Sequence, residues 1–263
     1  MLLNAGWELA QIEDLISDKE LLDYADVITV NSSEKKYYKV TDTQTTELTE
    51  SQCFYEINEL KRDFITNLTT ENSGISALSI SPGDTLKDEI YTSDGYFTYF
   101  VQAYYKGGGK FILSARYEWL ISPKNLRIDV FGLGHGNTLT KNISSSDVHY
   151  VYKADILDLT NGTTYPYQTT VPDETKIDAG GVVVKQKLYW DPTAVNHRGY
   201  LRYDAVTSNS TVKAFEAFAE YYHQQGIYSV SPSISFPLGG GVSISNSSFF
   251  KLMSPNPHIG GEI

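Results

Sequence analysis

Residues Phe97–Trp119 read FTYFVQAYYKGGGKFILSARYEW, and the fold is decided here. On the first arm Phe97, Tyr99, Val101, Ala103 and Tyr105 alternate with more polar neighbours. On the second arm Phe111, Leu113, Ala115, Tyr117 and Trp119 do the same. A period of two places each set on one face of a strand, and Gly107-Gly108-Gly109 between them suits a tight reversal. The reading is an antiparallel hairpin with one buried face.

Working outward, more strand patterns follow at turn-bounded intervals: Leu126–Phe131, His149–Ile156, Gly181–Trp190, Tyr200–Val206, Val212–His223, Tyr228–Phe236 and Gly241–Phe250. The segment KAFEAFAEYYHQQ (Lys213–Gln225) has helical propensity but falls within this series and is read as strand. About nine strands without intervening helices predict a mainly β chain built as an antiparallel β-sandwich.

The first 70 residues read differently. Trp7, Leu9, Ile12, Leu15 and Ile16 recur at helical spacing, and Ser17-Asp18-Lys19-Glu20 has the form of a capping box opening a second short helix. Short strands are expected near Val27–Val30 and Lys36–Val40. Thr49-Glu50-Ser51-Gln52 is a second capping box, ahead of a helix of about 18 residues. The expected organisation is therefore a small acidic α+β module over residues 1–70, a linker over 71–87 and the sandwich over 88–263.

Charge follows the same division. Of 32 acidic and 21 basic residues, 14 and 6 fall in residues 1–70, leaving 18 and 15 beyond, so −8 of the net −11 sits in the first quarter. An anionic chain without basic blocks argues against nucleic acid and against anionic lipid as partners. A single cysteine, Cys53, excludes an intrachain disulfide and a cysteine-based zinc site. No apolar run approaches the length of a transmembrane helix, and MLLNAGWELAQIEDL has no signal-peptide form. Six Asn-X-Ser/Thr sequons in so Asn-, Ser- and Thr-rich a chain are read as compositional.

Chemistry-bearing motifs are sparse. FGLGHGN (Phe131–Asn137) lacks the spacing of a dinucleotide-binding loop, has no following helix to face a phosphate, and lacks the serine of a nucleophile elbow. It is read as a strand-to-loop turn whose glycines supply positive φ, with His135 as a candidate binding residue. His197, expected on a loop in DPTAVNHRGY, is a second candidate together with Arg198. His149 is expected on a solvent-facing side. No histidine pair has a metal-protease spacing, so no metal and no cofactor are expected, and the acidic residues of the β region select no catalytic pair. Aromatics at strand ends add Tyr165, Tyr167 and Trp190 as candidates for stacking on a glycan or a protein surface. SVSPSISFPLGGGVSIS (Ser229–Ser245) alternates serine with apolar residues, as an inserting pore hairpin does and as any one-side-buried hairpin does.

Several stretches together carry a resemblance: AGWELAQIEDL, LLDYAD, KKYYKV, SARYEWL followed by GLGHGN, then HRGY, SVSPSIS and SPNPH. The chain resembles a family of secreted proteins of Bacillus-like Gram-positive bacteria. The resemblance implies an exported protein with a removed signal peptide and an acidic N-terminal module, and it carries over no catalytic or binding residue. The expected function is a secreted, non-enzymatic binding or cell-surface protein. The alternatives are a soluble β-pore-forming toxin using residues 229–245, or a secreted hydrolase of surface polymers centred on His135 or His197.

Overall fold

The structure, a computed structural model, describes residues 2–3, 6–41, 44–71, 95–123, 126–141, 147–158, 163–189, 191, 193–225, 232–238, 240–245 and 247–263; side chains are described for these except at 63–71 and 141. The expected linker at 71–87 thus falls almost wholly outside the described residues, as do Trp190 and the first part of the serine-rich hairpin.

The chain is mainly β, in antiparallel sheets. The opening hairpin forms as read: β4 (Gly95–Gly107) pairs with β5 (Lys110–Ile121), and Gly107, Gly108 and Gly109 all take positive φ. On one side β12 (Ala194–Thr207), β8 (His149–Leu157) and β9 (Thr164–Thr169) continue the sheet. On the other side come β2 (Lys36–Val40) and β3 (Thr45–Leu48), while β1 (Thr29–Ser32) pairs further along β4 and β7 (Leu139–Lys141) along β12. Three strands from the first 70 residues therefore extend the same sheet as the hairpin.

The second sheet runs β10 (Glu174–Asp178), β11 (Gly181–Lys187), β6 (Ile128–His135), β13 (Ala214–Gln224) and β16 (Phe250–Leu252), with β17 (His258–Glu262) also on β13. The helix-prone KAFEAFAEYYHQQ is strand, because burial of alternate residues between two neighbouring strands overrides local propensity. The alternating residues of β4 and β5 face the second sheet. Phe97, Tyr99, Tyr117 and Trp119 pack there with Phe131, Leu133 and Tyr221 in one aromatic core.

Three smaller clusters cover the outer faces. Helices α1 (Leu9–Leu15) and α2 (Asp18–Asp23) set Trp7, Ile12, Leu15 and Tyr24 on Tyr104, Ile112, Val151 and Tyr200 of the large sheet. Helix α3 (Glu50–Glu71) sets Cys53 and Ile57 on Tyr37, Tyr96 and Ile121. Both capping boxes form. Ser17 Oγ accepts from Glu20 N–H at 3.3 Å while the Glu20 carboxylate accepts from Ser17 N–H at 3.0 Å, and Thr49 and Gln52 exchange bonds of 3.2 and 2.9 Å.

The outer face of the second sheet is covered by residues 232–245, and this corrects the reading of FGLGHGN. Phe131–His135 lie inside β6, and neither Gly132 nor Gly134 has positive φ. Phe131, Leu133 and His135 point into the core, so the two glycines fall on the opposite face. There a Cβ at either position would overlap the ring of Phe236. The glycines are needed for close approach of a ring rather than for a turn. Phe236 is fully buried with Val130, Val183, Ile234, Val242, Ile244 and Phe250, a burial worth about 1.5–3 kcal/mol for such a ring. Of the two strands expected over Tyr228–Phe236 and Gly241–Phe250, the described residues show a two-residue pairing of β14 (Ile234–Ser235) with β15 (Ser243–Ile244), and Phe250 opens β16.

Candidate functional site

The outer face of the large sheet beneath α1 and α2 carries a cluster of buried and half-buried charge. Strand register lays it out in rows. Thr98, Glu118, Arg198 and Lys153 form one row; Phe100, Arg116, Tyr200 and Val151 the next; Gln102, Ser114, Arg202 and His149 the third. The helices place acids over the basic positions. Asp14 accepts from Arg198 Nε at 2.6 Å and from Lys153 Nζ at 2.9 Å. Glu20 pairs with His149 at 3.1 Å and Asp23 with Arg202 at 2.9 Å, while Asp26 reaches Lys106 at 3.0 Å. Four acids of the first quarter, Asp14, Glu20, Asp23 and Asp26, are thus matched to basic positions of this sheet.

These pairings move the acids in a consistent direction. Burial opposes the charge on Asp14, yet the hydrogen bonds from Arg198 and Lys153 hold its carboxyl below the ordinary value. Burial likewise opposes Glu20, but bonds from His149 and Ser17 bring it down to about 2. Trp7 is pinned from the same segment, its Nε1 donating to Gln102 Oε1 at 2.6 Å and Tyr104 Oη at 2.9 Å.

Arg116 breaks the pattern. It is 3% exposed and sits between two rings, its Cζ 4.8 Å from the Trp7 centroid and 4.7 Å from that of Phe100. No hydrogen bond or ion pair satisfies it among the described residues, and its Nη1 is buried without an acceptor. Burial pushes its pKa down to about 10, opposed by the charges of Glu118 and Glu8. Cation–π contact compensates part of the desolvation but leaves N–H donors unused. Arg116 lines a cleft of about 370 Å³ between α1 and the sheet, with Glu8, Gln11, Asp14, Glu118, Asn196 and Arg198.

The residues singled out from sequence are dispersed. His135 is fully buried on β6, its Nδ1 3.0 Å from Gly136 O and its ring beside Tyr203. His197 lies within β12 rather than on a loop. A register shift between Val195 and Arg198, with Asn196 at φ 54°, turns it into the core, where Tyr152 Oη is 2.7 Å from its Nδ1. Tyr152 Oη also accepts from Tyr189 N–H at 2.8 Å. Burial, reinforced by the charges of Arg198 and His223 and only partly opposed by the Ala194 backbone, lowers the His197 pKa to about 3. Arg198 points to the other face and is held by Asp14 and Asp155. Tyr165 is half exposed on the edge strand β9, whereas Tyr167 packs on Tyr189 with centroids 4.2 Å apart. Trp190 lies outside the described residues. His149 is half-buried against Glu20 and not free in solvent.

One buried constellation was not anticipated. His223 Nδ1 lies 2.6 Å from Asp129 Oδ1, while Tyr221 Oη bonds Asp129 Oδ2 and receives Trp119 Nε1–H at 3.0 Å. Asp129 and His223 are 2% and 1% exposed at the side chain, which makes this a core polar network rather than a site open to substrate. Among the described residues no group of three or more His, Cys, Asp or Glu is arranged to hold a metal ion. No described helix is long and apolar enough to cross a membrane.

Arg116 had a weak signal in the sequence: it belongs to the polar outward-facing set Ser114, Arg116, Glu118 of a strand whose inward set is Phe111, Leu113, Ala115, Tyr117 and Trp119. Its lack of an acid partner is visible only in space.

No family model and no curated protein matches the chain. Among solved structures it is similar to a pilus backbone protein from Streptococcus pneumoniae, at 7% identity and a TM-score of 0.31, over 59% of this chain and 41% of that one. It therefore spans about two fifths of the pilus protein. It is also similar to AvmM, which catalyses macrocyclization in alchivemycin A biosynthesis, at 12% identity and a TM-score of 0.23 over 59% of this chain and 80% of that one. A third match, a pore forming protein, has 7% identity and a TM-score of 0.24 over 64% and 84%. At these scores the matches assign no activity.

Proposed function

We propose that this is an exported, non-enzymatic binding protein that carries its ligand on the helix-covered face of the large sheet. The observation behind this reading is Arg116, a buried guanidinium whose donors meet no acceptor among the described residues, although Arg198, Lys153, Arg202 and His149 in the rows around it each meet an acid. Leaving such a group unmatched is costly, and a ligand acceptor in the adjoining cleft removes the cost. Export is the part of the reading that rests on sequence resemblance.

The hydrolytic alternative has less support. His135 and His197 are both enclosed, on different sheets, and the partner of the His197 ring is the Tyr152 hydroxyl. The described part of residues 229–245 pairs over two residues per strand and spends its apolar face on the second sheet, whereas a membrane-spanning strand needs about 9–11 residues.

The reading is tested by titrating labelled protein onto intact Gram-positive cells and onto arrayed cell-wall glycans and peptides, alongside Arg116→Met. Methionine preserves the apolar stem, and circular dichroism checks the fold. Saturable binding by the parent chain, weakened about tenfold or more in the variant, is expected. Absence of saturable binding by the parent chain overturns the reading, and undiminished binding by a folded Arg116→Met removes the cleft from it.

A further inference from the structure

The same cleft holds an acid that mirrors Arg116. Glu118 stands two residues along β5 on the same face, half-buried, and makes no hydrogen bond or ion pair among the described residues. The other charges are committed: Asp14 to Arg198 and Lys153, and Arg198 to Asp14 and Asp155. Glu8 also lines the cleft and adds negative charge beside Glu118. What remains unmatched is one cation at the bottom and carboxylate on the wall.

This arrangement discriminates between ligand classes. A phosphate or sulfate would be drawn to Arg116 but would bring its remaining charge against Glu118 and Glu8. A simple amine would meet those acids and leave Arg116 unsatisfied. A ligand bearing a carboxylate and a protonated amine a few atoms apart satisfies both ends. Its carboxylate accepts from the guanidinium in a charge-assisted bond, and its ammonium donates to Glu118. Trp7 and Phe100, which flank the guanidinium, hold it in place, so little ordering is required on binding. A volume of about 370 Å³ lies in the range of small-molecule sites and accommodates an amino-acid-sized group.

Resting on the binding reading above, we propose that the cleft between α1 and β5 is a zwitterion site, with Arg116 receiving the ligand carboxylate and Glu118 its ammonium. The ligand is either a free amino acid or an aminoacyl group carried on a peptide, and the two sources share this chemistry.

The full chain is titrated calorimetrically with glycine, 4-aminobutyrate, 6-aminohexanoate and triglycine, and separately with acetate, ethylammonium and inorganic phosphate. One zwitterion is expected to bind about 10- to 100-fold more tightly than acetate or ethylammonium, with phosphate weaker than either. Preference for a short amino acid indicates a free ligand, and preference for triglycine a peptide-borne one; both support the proposal. Arg116→Met should abolish binding. Glu118→Gln, at a half-buried position where folding is not at stake, should bring the best zwitterion down to the level of acetate while leaving acetate unaffected. Acetate binding as tightly as the best zwitterion, preference for phosphate, or no zwitterion binding at all each overturns the proposal. If no zwitterion binds while cells are still bound through Arg116, the ligand class is wrong and the binding reading stands. If cell binding is absent too, both fall.

Discussion

The ring of Phe236 occupies the space that a side chain at Gly134 would need, so a strand of the second sheet and the 232–245 segment approach closely at a position where only glycine fits. Gly134→Ala should lower unfolding stability by about 1–3 kcal/mol through overpacking. Chemical denaturation measures this, and combining it with Phe236→Leu should recover part of the loss. Strict additivity of the two changes would show that the two residues do not meet.

Acid should loosen the helical cover before it unfolds the sandwich. The Glu20 carboxyl titrates at about 2 when folded, against an ordinary value of 4.5. A depressed carboxyl contributes stability fully above its unfolded pKa, and the contribution is lost as pH falls from about 4.5 toward 2. Asp14 acts in the same sense. Tryptophan fluorescence of Trp7 followed between pH 6 and 2 should shift in this window, and Glu20→Gln should flatten the shift. The variant also weakens the α2 capping box, at a cost of about 1 kcal/mol.

His197 should remain neutral well below the ordinary histidine range. Its folded pKa of about 3 against 6.5 means that the unfolded chain binds a proton the folded chain refuses. Stability is therefore unaffected above pH 6.5 and declines on acidification from there toward 3. Histidine NMR shifts recorded from pH 7.5 to 4 check this. A His197 resonance titrating near 6 would contradict the closed environment next to Tyr152.

Cys53 should be silent in the native protein. It is fully buried on the inner face of α3, and burial together with the charges of Glu56 and Glu50 pushes its thiol up to about 12. A thiol-specific reagent at pH 8 should label it only in denaturant, so that labelling kinetics report the opening of α3.

Much of the architecture was legible because its signals are local. The β4–β5 hairpin announces itself through period-two burial around three glycines, and both capping boxes through side chains three residues apart. The strands β9 and β10 escaped because they are exposed edges, where no apolar set alternates. FGLGH was misread because its glycines serve a ring about a hundred residues further on. His197 reads as loop-borne in sequence because the bulge between Val195 and Arg198 leaves no sequence signature. The acidic excess of residues 1–70 was visible as a sum, but the pairing of Asp14, Glu20 and Asp23 with Arg198, Lys153, Arg202 and His149 is a property of register between two strands, β8 and β12. Arg116 stands out only once those pairings are assigned.

That pairing also dictates an order of assembly. The bonds from Asp14 and Asp23 to Lys153, Arg198 and Arg202 close across 139 to 184 residues of chain. The helices that supply the acids have seven and six residues, too short to persist unsupported in water. A folding chain must therefore bring β8 and β12 alongside β5 before the α1–α2 segment has anything to dock on. In the interval that segment waits as a solvated polyanion, its charge keeping it from pairing with unfinished strand edges. Protection of the α1 and α2 amides from hydrogen exchange should consequently be the last to develop during refolding, which makes it a kinetic marker for completion of the sheet.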